Sequence, residues 1–264
     1  MSALKKYFKV FSIGMSDLIA WRFGFFMVAL GAVISWIVML IFWGAVYREG
    51  NTVGAFTLSE LVMYYSFTTV IQVILDYSFV WDIAEALHEG RLSEYLVKPV
   101  SYINFLYAKE LGARTIAFAA FSVPLAGLLF YFRNEIPHTC SAWLYLISTL
   151  LVGFFTVSLI GIIAALSSVF FQNPHIVSLL FFTISQLLSG RTIPFSVMPH
   201  WLATIAHWTP FPFISGVPTE FLLGIRTGLT SEEIFINLAW VIFLIFVARK
   251  MWRYSITKYE AGGS

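Results

Sequence analysis

Phe23 to Tyr47 reads FGFFMVALGAVISWIVMLIFWGAVY, 25 residues without an Asp, Glu, Lys or Arg. A helix needs about 20 predominantly apolar residues to cross a hydrocarbon core of ~30 Å. The stretch therefore predicts a membrane span. Composition carries the same message: of 264 residues, 59% are hydrophobic, 18% aromatic and 11% charged, whereas soluble domains run near 25% charged. At a mean hydropathy of +0.83 there is too little polar surface to coat a soluble globule, so lipid must cover the chain. That excludes a soluble enzyme, a secreted scaffold and a disordered tail. A net charge of +2 leaves no footprint for nucleic acid. Cys140 is the one cysteine, which excludes an internal disulfide, a Cys-rich metal site and a CxxC redox pair.

Working outward, the gaps between charges predict an all-α integral membrane protein. Six transmembrane helices are expected at about 23–47, 58–80, 112–132, 143–170, 176–189 and 232–249. From Leu61 to Val80 the second carries only Asp76, near one end. The fourth and fifth come from residues 136 to 190, which hold no Asp, Glu, Lys or Arg. They are separated at Gln172-Asn173-Pro174-His175, because proline and its predecessor resist helix continuation. The sixth has just 15 uncharged residues, Ile234 to Ala248. It can span if Glu233 sits at one interface and Arg249 and Lys250 snorkel to the other. Thr192 to Thr219 is also uncharged, but Pro194, Pro199, Pro210, Pro212 and Pro218 break it. Short helices at, or dipping into, an interface are expected there.

Six spans put both termini on one side. Twelve of the sixteen Lys and Arg fall on that side, so the termini are expected to be cytoplasmic. The expected location is the bacterial cell membrane, crossed several times. Before the first span, Lys5, Lys6 and Lys9 interleave with Tyr7, Phe8 and Phe11, as in an interfacial amphipathic helix. No repeat or linker is visible, so residues 1–264 read as a single domain.

No G-x-x-x-x-G-K-[ST] loop occurs, so the chain has no such cradle for ATP phosphates. No H-E-x-x-H occurs, and His88, His138, His175, His200 and His207 are expected in loops. No catalytic pair and no metal site emerge. The most informative loop is Trp81-Asp82-Ile83-Ala84-Glu85-Ala86-Leu87-His88-Glu89-Gly90. Asp82 reads as an N-cap with Glu85 as its capping-box partner, and Gly90 as a left-handed stop. Ile83, Ala84 and Leu87 form an apolar stripe, while Asp82, Glu85 and Glu89 share an acidic side. Acid is a poor neighbour for anionic lipid; a protein partner suits it better than the headgroups do. Asp76 reads either as a functional intramembrane carboxylate or as an interfacial acid paired with a base. Most tryptophans flank spans as interfacial anchors. Trp36 lies deep and is a candidate substrate-lining aromatic.

The run Gly90-Arg91-Leu92-Ser93-Glu94-Tyr95-Leu96-Val97-Lys98-Pro99-Val100, followed by Lys109-Glu110-Leu111-Gly112, resembles the loop after the second span in ABC-2 type permeases. These are the membrane subunits of a class of ATP-binding-cassette exporters. Leu188-Ser189-Gly190-Arg191-Thr192-Ile193-Pro194-Phe195, Met198-Pro199-His200-Trp201-Leu202 and Trp208-Thr209-Pro210-Phe211 resemble that family's segment between spans five and six. Lys258-Tyr259-Glu260-Ala261-Gly262-Gly263 is similar to the tail of a poorly characterised branch.

The resemblance implies a permease that pairs with a second copy or a paralogue and works with separate ATPase subunits. ATP and Mg would sit on those subunits, and no cofactor on this chain. It further implies a coupling helix at Trp81, Asp82, Ile83, Glu85, Leu87, His88 and Glu89, with Ile83 and Leu87 anchoring in the ATPase. Gly190 to Pro212 would form an extracytoplasmic re-entrant hairpin, shaped as a gate by Gly190, Pro194, Pro199, Trp201 and Pro210. The alternative is a secondary transporter, a class that usually shows internal repeats, or another polytopic membrane protein without an ATPase partner.

Overall fold

The computed structural model describes residues 3–48, 56–75, 79–88, 92–93, 101–134, 136, 139–167, 170 and 174–258. The regular elements are helices: α1 (Ala3–Ala20), α2 (Arg22–Arg48), α3 (Leu58–Leu75), α4 (Phe79–His88), α5 (Tyr102–Tyr131), α6 (Cys140–Ser167), α7 (Pro174–Leu188), α8 (His200–His207), α9 (Gly216–Leu222) and α10 (Ser231–Lys258), with a 3₁₀ turn at Phe211–Ile214. Five of these, α2, α3, α5, α6 and α10, are long and apolar enough to cross a membrane. The fifth expected span, α7, has 15 residues and is about 22 Å long at 1.5 Å per residue.

Two starts are built identically. Thr57 N–H donates to Glu60 Oε2 at 2.7 Å, and Glu60 N–H donates to Thr57 Oγ1 at 3.3 Å. Thr230 N–H donates to Glu233 Oε2 at 2.9 Å, and Glu233 N–H donates to Thr230 Oγ1 at 3.2 Å. Each is a reciprocal capping box, satisfying N–H groups that a helix start leaves without partners.

Two elements are longer than charge counting predicts. α5 begins ten residues before the expected 112, because its charges are matched. Lys109 pairs with Asp17 at 3.2 Å, and Glu110 pairs with Arg114 one turn on. α10 likewise runs past Arg249, Lys250 and Arg253 to Lys258.

α6 is the spine. It packs against α3, α4, α7, α9, α10 and the 3₁₀ turn. Its buried side includes Gly153, Gly161, Ala164 and Ala165, small residues that let neighbouring backbones approach without lipid between them. By contrast, α2 buries Trp43 and packs mainly against α3. Trp43 stacks on Tyr65 with centroids 6.2 Å apart. α1 lies across α5, where an added Cβ at Gly14 would fall 1.8 Å from the Lys109 carbonyl oxygen and one at Gly112 2.0 Å from that of Phe11. Only glycine permits this contact of backbone on backbone.

Candidate functional site

α4 is the first of two regions singled out. Asp82 is its fourth residue rather than its N-cap, since Phe79, Val80 and Trp81 carry the helix one turn further back. Ile83, Ala84 and Ala86 are buried among Tyr102, Leu106, Ile162, Ala165, Leu166 and Ala248, with Leu87 packed at the edge. Leu92 N–H donates to the Ala86 carbonyl at 3.1 Å and closes the C-terminal end. The apolar stripe therefore clamps α4 onto the ends of α5, α6 and α10. Ile83, at 1% exposure, anchors the helix inward; it has no surface to offer outward. Glu85 is exposed on the opposite side. The side chains of Trp81, Asp82 and His88 lie outside the described residues, as do Glu89 and Asp76.

The second region runs from Ser189 to Gly216, whose N–H donates to the Ser189 carbonyl at 2.8 Å. That bond ties the two ends of the segment together. Gly190 takes φ +77°, a left-handed conformation that favours glycine, and the Phe195 ring covers both Gly190 and Gly216. α3 holds the same neck: Tyr64 Oη donates to the Gly190 carbonyl at 2.6 Å and Tyr65 Oη to that of Thr192 at 2.9 Å.

The prolines sit where a chain must turn. The Pro194 carbonyl accepts from Val197 and Met198. Pro199 precedes α8, and Pro210 precedes the 3₁₀ turn. His200 and His207 open and close α8 rather than lying in loops, because eight residues without glycine or proline after Pro199 suffice for two helical turns; His88 and His175 likewise fall within helices, α4 and α7. Trp201 and Trp208 stay exposed, while Trp240 Nε1–H donates to the Trp208 carbonyl at 2.8 Å.

The segment is keyed to the spine. A Cβ at Gly153 of α6 would lie 2.4 Å from the Phe213 carbonyl oxygen. Ala165 and Leu166, which hold α4, lie on the same helix about 18 Å further along.

Two charged clusters were not read from the sequence. Arg226 Nε donates to Glu220 at 2.9 Å, and its terminal nitrogen to Glu233 at 2.5 Å. Burial pushes the Glu220 carboxyl above its usual range, against the pull of Arg226. The T-x-x-E pattern at Thr230 was the available signal for this corner. The other cluster is Glu110 with Arg114, whose guanidinium also donates to the Val73 carbonyl at 2.9 Å. A cation there complements the C-terminal end of α3. Trp36 is held by α3, its Nε1–H donating to Ser66 Oγ at 3.0 Å. Among the described residues, no three His, Cys, Asp or Glu side chains converge as metal ligands would.

Residues 33–263 match the sequence model of a family described as ABC-2 family transporter protein. No curated protein sequence matches the chain.

Proposed function

From the premise that the chain belongs to the ABC-2 transporter family, and so is the membrane permease subunit of an ABC transporter, we propose that it exports its cargo under the drive of a separate ATPase docked at α4. The observation that carries this reading is the shared spine. α4 is clamped to the last turns of α6, and the outward segment is keyed to the same helix at Gly153. A push on α4 is therefore passed through a rigid helix to the neck at Ser189 and Gly216. Packed elements of this kind move as units rather than deforming continuously.

In this arrangement α2, α3, α5, α6, α7 and α10 form six spans with cytoplasmic termini. α7 is short for a span, and residues 189 to 216 make a re-entrant lobe that closes the exit. A second permease subunit completes the pathway, and ATP with Mg binds only on the ATPase.

The test is at Glu85. Replacing it by Arg leaves helix propensity nearly unchanged, so α4 stays folded while the charge facing the partner reverses. A like charge placed against an interface costs several kcal/mol. We expect normal membrane insertion with loss of the co-purifying ATPase, or an ATPase that still binds but no longer responds to the permease. Unchanged association and unchanged stimulation in Glu85→Arg would overturn the docking site.

A further inference from the structure

A cleft of about 830 Å³ opens between α1, α3, α5 and α6, away from the lobe and from the exposed side of α4. The volume is in the range of dedicated ligand sites, roughly 300–1,000 Å³. Its lining is almost wholly apolar. The stretch of α6 from Ile147 to Phe155 contributes only apolar side chains, whereas Tyr7 of α1 and Asn104, Tyr107 and Arg114 of α5 supply the polar ones. Ile147, Leu151 and Phe155 are each more than half exposed, so the apolar part opens sideways toward the bilayer. α1 cannot settle inward to fill it, because Gly14 and Gly112 already bring the two backbones together.

Charge says what belongs beside the cleft, at its α1 edge. α1 and the first four turns of α5 carry Lys5, Lys6, Lys9, Lys109 and Arg114 against Asp17 and Glu110. The two acids are matched by Lys109 and Arg114. The excess is the three lysines that flank Tyr7 on the first two turns of α1.

We propose that this cleft is a binding site for one acyl chain of an anionic phospholipid, whose phosphate lies toward Lys5, Lys6 and Lys9. The chain runs along α6, and its headgroup reaches the lysines past Tyr7. The site needs the chain to sit in a membrane but not the ATPase, so it stands or falls apart from the docking at α4.

The experiment uses the full chain in nanodiscs doped with a phospholipid bearing a photoreactive acyl chain, as phosphatidylglycerol or as phosphatidylcholine. Cross-links are mapped by mass spectrometry. They are expected on peptides covering residues 104–111 and 147–155, with phosphatidylglycerol favoured. Each lysine near an anionic lipid contributes roughly fivefold to such a preference. Lys5→Gln with Lys6→Gln and Lys9→Gln should bring the two lipids to parity while leaving chain labelling in place. Leu150→Trp, which fills the cleft, should abolish it.

Labelling spread evenly over α2 and the cleft, or equal labelling by both lipids in the unaltered chain, would overturn the proposal. A disulfide-linked dimer through Leu151→Cys in a Cys140→Ser background would also overturn it, by giving the cleft to a second copy.

Discussion

Tyr64 is fully buried in α3, and its hydroxyl donates to a backbone carbonyl 126 positions away in sequence. Removing that hydroxyl leaves the Gly190 oxygen buried without a donor, which costs about 1–3 kcal/mol. Tyr64→Phe should therefore lower the thermal midpoint in detergent and expose the neck to proteolysis. Tyr65→Phe should do less, since its partner at Thr192 lies nearer the surface. The prolines were legible in the sequence because helix stops require particular residue types, whereas Gly190 entered only through the resemblance. Tyr64 was not legible. A tyrosine in an apolar run reads as an interfacial aromatic, and nothing local tells which distant carbonyl it serves.

Among the elements, α5 and α10 show what a charge-based reading captures and what it misses. Apolar runs located both helices, since lipid demands them. α5 starts and α10 ends further out than expected, where the chain or the interface accommodates polar groups. α4 was legible as an amphipathic helix, but its apolar stripe faces inward. Periodicity gives a stripe without saying which surface covers it. The spine itself yields a prediction of opposite signs. Gly153→Ala places a methyl group 2.4 Å from the Phe213 carbonyl oxygen, whereas Gly31→Ala meets nothing within 4 Å. Forcing atoms into a packed contact costs about 1–3 kcal/mol, while alanine is favoured over glycine in a helix by up to about 1 kcal/mol. Thermal unfolding should show Gly153→Ala destabilised and Gly31→Ala unchanged or slightly stabilised.

For the whole molecule, orientation is the property on which every loop assignment depends, and Cys140 reports it. This one thiol is exposed at the start of α6. A membrane-impermeant maleimide added to intact cells should label it, whereas labelling confined to lysed cells would invert the topology and move α4 to the wrong side for an ATPase. Five of the six expected spans were legible because apolar length is a composition-level signal, whereas the fifth in order, α7, is only 15 residues long. The way residues 189 to 216 fold back was not legible, since it depends on a single Gly216-to-Ser189 hydrogen bond and on tyrosines from another helix. That closed neck also bears on how such a protein diversifies. Once the ends of a loop are held together, the entropic penalty of lengthening it grows only with the logarithm of its length. Insertions between Thr192 and Phe211 should then be tolerated far better than any change at Gly190, Ser189 or Gly216. The lobe is thus free to vary in length from one descendant to the next, while the bundle that carries it stays the same.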